Sequence, residues 1–206
     1  MNRLGLLVVT ALACASASAL AQTPPPAPTG PAPLQVQNPT YISIPMEIEV
    51  NKPAAEVWKR IGKFCDIGEW LQIGAGCHML SGKEGEIGGV RSVGNEILVG
   101  KTELSYTYTQ PVRTGRDYNL YHGTLEARPE GKSKTKIVYT LMYDNSLIHA
   151  RTGTDDVAAR AADIESRRTT FMRSLANMKT LCEGGKLAPP PTPAAPAPSP
   201  AAPPKP

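Results

Sequence analysis

The chain has few residues of the kinds on which catalysis and metal binding usually depend. It has 3 histidines and 4 cysteines among 206 residues, and the histidines, His78, His122 and His149, are scattered. There is no Gly-x-Ser-x-Gly elbow, no His-Glu-x-x-His helix, no phosphate-binding glycine loop and no Cys-x-x-Cys pair. We therefore predict no catalytic motif residue, no metal site and no cofactor, although an enzyme without such a motif is not excluded.

The charges and apolar runs point to neither a nucleic-acid partner nor a membrane span. Residues 40–186 hold 20 Lys and Arg against 18 Asp and Glu, and the only dense basic run, 132–136, adjoins a glycine turn. Such a run is typical of a solvated hairpin tip and not of a basic face with interleaved aromatics. Beyond the N-terminal segment no run of roughly 18 apolar residues occurs, so we predict no transmembrane segment.

The N-terminal residues have the features of a secretory signal peptide. Arg3 gives a basic start, an apolar run follows it, and Ala19-Leu-Ala21 is a small-x-small cleavage site. We predict that residues 1–21 are removed, that the mature chain begins near Gln22 and that the protein is periplasmic or secreted. The alternative is a lipoprotein acylated at Cys14, for which the preceding residues are a poor fit.

Proline marks the limits of the folded region. Of the 21 prolines, 7 lie in residues 22–39 and 10 in residues 187–206. Pro/Ala tracts offer no apolar periodicity to bury and stay extended and solvated. We predict a disordered linker over 22–39, one domain over 40–186 and a disordered tail over 187–206. The Pro-rich ends are flexible tails in the simplest interpretation and ligands for an envelope protein partner in the other.

Three cysteines remain after the predicted cleavage. Export permits a disulfide, and Cys65 with Cys77 would close a short loop around Trp70. Such a crosslink stabilises a fold by about 3 kcal/mol in the chain-entropy model. Cys182 is then unpaired, either as a small buried apolar residue or as the site of an intermolecular bridge.

The segment from Asn51 to Trp70 predicts two short helices after a strand. Asn51 suits an N-cap and Pro53 the first helical turn. An apolar stripe at i, i+4 and i+7 follows, formed by Val57, Ile61 and Phe64.

At these residues the chain resembles the SRPBCC superfamily, the START-like and polyketide-cyclase/dehydrase-like proteins. Members often carry Pro-Ala-x-x-Val-Trp, then Ile-Gly-x-Phe and a further Trp, after the first strand. The resemblance covers roughly residues 42–183 and implies a helix-grip fold around an apolar cavity. Because this scaffold hosts lipid carriers, receptors, cyclases and chaperone-like proteins, it does not by itself define a function.

The rest of the domain is predicted to be an antiparallel meander closed by a helix. Residues 42–50 alternate apolar and polar, and Pro45 places that strand at an edge or bulge. Six strand-like runs with turn signals between them follow: 77–81, 89–93, 96–100, 104–110, 117–128 and 135–143. A final helix, capped by Thr154 or Asp155 and ended by Gly184, carries an apolar stripe of Val157, Ala161, Ile164, Phe171, Leu175, Met178 and Cys182.

The predicted fold class is therefore α+β, a helix-grip fold. A curved antiparallel sheet of about seven strands wraps around a long C-terminal helix, with two short helices after the first strand.

Tyrosines gather on the predicted strands and suggest a ligand site. Matched to family positions, Tyr106, Tyr108, Tyr121 and Tyr139 resemble cavity-lining residues. A phenol offers apolar area and one hydrogen-bonding group, which suits lipid-like, polyketide-like or phenolic ligands. The alternative is that they fill the interior or lie on a solvated sheet face.

Two arginines are further candidates. Arg168 falls between Ile164 and Phe171 on the predicted inward stripe, and Arg167 would take that place if the helical phase drifts. An inward guanidinium needs a carboxylate or an anionic ligand, whereas a rim arginine would pair with a neighbouring Glu or Asp. Arg91 stands where the family often has a basic residue near the pocket. The predicted ligand-binding residues are Arg91, Tyr106, Tyr108, Tyr121, Tyr139, Ile164, Arg168 and Phe171.

The sequence favours an exported protein that binds a small hydrophobic or amphipathic ligand in a cavity between the sheet and the C-terminal helix. One alternative is a polyketide cyclase/dehydratase-like enzyme in which Tyr121, His122 or Tyr139 moves protons. Strand parity places His122 opposite to Tyr121, which counts against its role. A second alternative is an envelope assembly factor with a vestigial cavity.

Overall fold

The first strand and the helices after it form close to their predicted positions. The structure, a computed structural model, describes residues 39–112, 118–148 and 156–190. The N-terminal elements are β1 (Tyr41–Val50), α1 (Ala54–Ile61), a 3₁₀ helix (Phe64–Asp66) and α2 (Ile67–Trp70). The N-cap prediction is wrong, since α1 begins after Pro53. The backbone N–H of Asn51 instead donates to Glu183 Oε1 at 3.0 Å.

Six further strands complete one antiparallel sheet. They are β2 (Met79–Ser81), β3 (Val90–Arg91), β4 (Glu96–Lys101), β5 (Ser105–Thr109), β6 (Asn119–Glu130) and β7 (Lys134–Asp144). The strand order β1-β7-β6-β5-β4-β3-β2 confirms the predicted seven-stranded meander, with the N-terminal strand brought back beside the last. Pro45 lies on an edge strand, as predicted, where its missing N–H breaks no ladder.

The core lies between the inner face of the sheet and the helices. Alternate residues of β6 and β7 are buried, as period-two strands with one covered face require. The helices add the predicted stripe of Val57, Ile61 and Phe64, together with Trp70, all fully buried. These residues form one aromatic-rich core despite the small number of aromatics in the chain.

The long helix α3 (Asp156–Cys182) covers the sheet mainly with its C-terminal half. Its buried residues are Ser174, Leu175, Met178 and Leu181. The predicted stripe is wrong at the other end, because Val157 and Ala161 are exposed. In that half the polar side chains of Asp163 and Arg167 face the sheet instead. The predicted caps Thr154 and Asp155 lie outside the described residues.

Folded structure continues past the predicted C-terminal limit at residue 186. Leu187 packs against the core, and the backbone oxygen of Ala188 accepts a 2.6 Å hydrogen bond from Gln72 Nε2. The predicted signal peptide, nearly all of the N-terminal linker and most of the tail lie outside the described residues.

Three further features complete the description of the fold. The predicted disulfide between Cys65 and Cys77 is present, with 5.2 Å between the two Cα atoms. No helix within 39–112, 118–148 and 156–190 has the length and apolarity needed to cross a membrane. In the same ranges, no cluster of three His, Cys, Asp or Glu side chains is arranged to hold a metal.

Candidate functional site

A cavity of about 260 Å³ lies between the first helices and the far half of the sheet. The position predicted for the cavity, between the sheet and the C-terminal helix, is wrong for this one, because no residue of α3 lines it. The end of α1 and the 3₁₀ helix form one wall, β4 and β5 form another, and the loop between β2 and β3 forms the third. Three aromatic side chains, Trp58, Phe64 and Tyr106, line it together with Leu98. Three charged side chains, Lys63, Glu84 and Lys101, complete it. The site is therefore amphipathic, with an aromatic surface and a charged rim.

Glycine at position 62 allows the aromatic wall to form. A side chain there would place its Cβ closer than 3.0 Å to the Trp58 ring. The indole therefore folds across the C-terminal end of α1. From there it contacts Tyr106, with 5.7 Å between the two ring centroids.

Three attachments fix the 3₁₀ helix that carries Phe64. The disulfide joins its Cys65 to Cys77. The Glu84 carboxylate accepts hydrogen bonds from the backbone N–H groups of Phe64 and Cys65, the latter at 3.3 Å. Arg91 Nη1 donates to the backbone oxygen of Phe64. The wall is thus attached to the protein from both sides.

A buried ion pair stands behind this wall. Arg91 Nε donates to Glu96 Oε2 at 2.6 Å, and Gln110 Nε2 donates to the other carboxylate oxygen at 2.9 Å. The guanidinium lies 4.1 Å from the ring centroid of Phe64 and 4.7 Å from that of Tyr108. Burial raises the pKa of Glu96, against the lowering effect of Arg91 and Gln110. Arg91 is thus a supporting residue behind the cavity and not part of its lining.

The four predicted tyrosines come together on the inner face of the sheet. Tyr106, Tyr108, Tyr121 and Tyr139 are all buried. The hydroxyl oxygens of Tyr108 and Tyr139 are 2.7 Å apart, within hydrogen-bonding distance. Of the four, Tyr106 lines the 260 Å³ cavity, while the other three pack against neighbouring aromatic rings.

Burial raises the pKa of all four phenols. A phenol that resists deprotonation is a poor general base. His122 has the outward parity that the sequence indicated, since it alternates with buried Tyr121 and Gly123 along β6. Its Nδ1 lies 2.8 Å from the backbone oxygen of Leu120. None of the four phenols is therefore suited to act as a general base near neutral pH.

The candidates on α3 divide into two groups. Phe171 stacks on Tyr139, with ring centroids 4.8 Å apart, and Ile164 is half-buried beside the core. Arg168 does not turn inward. Its Nη1 donates to the backbone oxygen of Pro45 at 3.3 Å, and its Nε lies 3.9 Å from Glu165, as the rim interpretation predicted.

The inward guanidinium on α3 is that of Arg167. Its Nε donates to both carboxylate oxygens of Asp163 at 2.9 and 3.0 Å. It also lies 4.4 Å from the ring centroids of Tyr118 and Tyr143. The face of α3 that meets the sheet is therefore shifted by one residue from the predicted face, which contained Arg168.

Sequence reasoning missed most of the cavity lining. In the sequence Trp58 stands out only as part of the family motif, and no pattern distinguishes Lys63, Glu84 and Lys101. They belong to three separate segments that only the tertiary fold brings together. The one local signal was Gly62 at the end of a helix, which leaves room for a neighbouring ring.

Comparison with known proteins agrees with this architecture. Residues 41–183 match the family model described as polyketide cyclase / dehydrase and lipid transport. No curated protein matches the sequence.

Three solved structures show the same fold at low sequence identity. A protein from Nitrosospira multiformis is 21% identical with a TM-score of 0.53, covering 68% of this chain and 94% of that one. A protein from Thermobifida fusca is 22% identical with a TM-score of 0.53, covering 70% and 97%. The ZhuI aromatase/cyclase from Streptomyces sp. R1128 is 14% identical with a TM-score of 0.53, covering 71% and 100%.

Proposed function

The chain belongs to the polyketide cyclase / dehydrase and lipid transport family, and we propose that it is a binding protein for a small hydrophobic or amphipathic molecule. The observation that carries the proposal is the cavity walled by Trp58, Phe64 and Tyr106. Ligand sites are typically concave, mostly apolar and largely preformed, with a few polar groups that set orientation. The fixed 3₁₀ helix and the rim charges fit that description.

We propose that this protein is exported from the cytoplasm. The signal-peptide pattern of residues 1–21 supports export. The Cys65–Cys77 bond also supports it, because structural disulfides persist mainly in oxidising compartments. A binding protein outside the cytoplasm would carry or sequester its ligand in that compartment.

The cyclase/dehydratase alternative would use the same interior. It needs a group that exchanges protons near neutral pH, and the raised pKa of Tyr121 and Tyr139 makes their phenols unsuited to act as bases. The assembly-factor alternative needs no ligand at all. Whether the protein binds a ligand therefore distinguishes the assembly-factor role from the binding role.

The test is uptake of a neutral environment-sensitive dye with two fused rings and short substituents, 6-propionyl-2-(dimethylamino)naphthalene, by the parent protein and two variants. Thr102 lines the cavity near its rim, whereas the adjacent Glu103 is exposed and outside the lining. Thr102→Trp should weaken dye binding tenfold or more by occupying the cavity, and Glu103→Trp adds the same ring next to it as a control.

Circular dichroism and thermal unfolding of both variants establish that they are folded. Equal dye binding by Thr102→Trp and Glu103→Trp would mean that the dye binds elsewhere. Absence of uptake by the parent protein would favour the assembly-factor role instead.

A further inference from the structure

We propose that the ligand of this cavity is a small aromatic carboxylic acid, bound as its anion. The ring would lie against Trp58, Phe64 and Tyr106, and the carboxylate would lie at the rim between Lys63 and Lys101. This inference rests on the proposed binding function and adds the chemical class of the ligand.

The first support is the charge of the rim. Lys63 and Lys101 both line the cavity, and within the described part of the chain neither ammonium forms an ion pair with a carboxylate. Lys101 Nζ donates one hydrogen bond to the backbone oxygen of Gly85, which leaves two of its three N–H donors. Two exposed ammonium groups beside an aromatic wall suit an anionic group attached to a ring.

The second support is that the one carboxylate in the lining already accepts hydrogen bonds from the protein backbone. Glu84 accepts hydrogen bonds from the backbone N–H groups of Phe64 and Cys65. Its oxygens are thereby directed to the 3₁₀ helix as a structural attachment. Glu84 is thus held by the backbone and, within the described residues, is not an ion-pair partner of either rim lysine.

The third support is size. A dry cavity of about 150 Å³ accommodates benzene, so the 260 Å³ here suits one or two fused rings with a short substituent. Typical drug-sized sites begin at roughly 300 Å³. A sterol or a four-ring polyketide would exceed this volume without displacement of the wall.

Three probes with the same ring system and different charge test the inference. They are naphthalene-2-carboxylate, the neutral naphthalene-2-methanol and the cationic naphthalene-2-methylamine, titrated calorimetrically into the parent protein near pH 7.5. The carboxylate should bind about fivefold or more tightly than the alcohol, and the amine should bind most weakly. The preference for the carboxylate should shrink at high salt, because exposed charges are screened.

Lysine variants test which side chains cause the preference for the carboxylate probe. Lys63→Gln and Lys101→Gln should each weaken carboxylate binding about two- to fivefold, the range for exposed ion pairs. They should leave binding of the alcohol unchanged, which also shows that the wall is intact. Lys101→Arg should retain the preference. Lys59→Gln removes an exposed cation of α1 outside the cavity and should change neither affinity.

Each pattern of results has one meaning. Equal binding of alcohol and carboxylate, or an equal loss of both in the lysine variants, would overturn the inference and leave the binding function standing. Binding of none of the three probes, together with no uptake of the neutral dye, would overturn the binding function and with it the inference.

Discussion

Replacing Gly123 by alanine should destabilise the protein by about 2–3 kcal/mol, because the Tyr108 ring lies directly over this glycine. The two residues face each other across β5 and β6. A Cβ at position 123 would lie closer than 3.0 Å to two ring carbons and the hydroxyl oxygen of Tyr108. Carbon atoms in good contact are roughly 3.5–4.0 Å apart, so the ring would have to move by roughly 1 Å.

The magnitude follows from what surrounds the ring. Tyr108 is fully buried, with the Arg91 guanidinium 4.7 Å from its centroid and Tyr139 hydrogen-bonded to its hydroxyl at 2.7 Å. Overpacking of a filled core costs about 1–3 kcal/mol. Loss of a buried hydrogen bond adds about 1 kcal/mol, and alanine recovers about 0.5–1 kcal/mol relative to glycine in a strand.

The assay is a double-mutant cycle by urea unfolding with the disulfide intact. In a Tyr108→Ala background the methyl group has space, so Gly123→Ala should become neutral or slightly stabilising. Gly100→Ala is the matched control, since a Cβ there meets only Thr107 at 3.9 Å, and it should change stability by less than about 1 kcal/mol. If Gly123→Ala costs the same with and without the Tyr108 ring, the packing argument is refuted.

Two further predictions concern a buried ion pair and a half-buried thiol. Glu96→Gln should cost roughly 3–5 kcal/mol in urea unfolding because it leaves the Arg91 cation buried without its counter-charge, whereas Glu126→Gln at an exposed pair should cost less than about 1 kcal/mol. Similar costs for both would contradict this account. Burial raises the pKa of the Cys182 thiol from 9.0 to about 11, so less thiolate is present at any given pH. Alkylation by iodoacetamide should then keep accelerating about tenfold per pH unit beyond pH 9, whereas a plateau near pH 9, as expected in urea, would show an unperturbed thiol.

The contribution of the sequence is clearest in the sheet and weakest in the site. Alternation in β1 predicted its buried face, and turn residues divided the following segment into six strands in the right order. These signals are local, because side chains of a strand point alternately to opposite faces whatever the strand packs against. The same parity placed Tyr106 and Tyr108 on one face.

The sequence could not fix the phase of α3 over its whole length. One residue turns a helix by about 100°, so the choice between Arg167 and Arg168 depends on how the helix lies on the sheet. The spacing of the apolar residues favoured Arg168 as the inward-facing residue. In the structure Arg167 faces inward instead, where it contacts the carboxylate of Asp163 and the ring of Tyr143. The apolar residues Val157 and Ala161 of this half are exposed, so the stripe that they suggest does not mark the face of α3 that meets the sheet.

By itself the sequence determined the seven-stranded antiparallel sheet, its closing helix and the proximity of Cys65 to Cys77, while the family was indicated by the resemblance of residues 51–70 to its motif. Local periodicity, turn residues and a short loop are enough for these. Only the tertiary structure decided where the cavity lies, because its wall and its rim join residues as far apart as Trp58, Glu84 and Lys101. It also decided that most of the tyrosine interior is filled, since packing depends on the space left by neighbours such as Gly123 and no periodicity records that space.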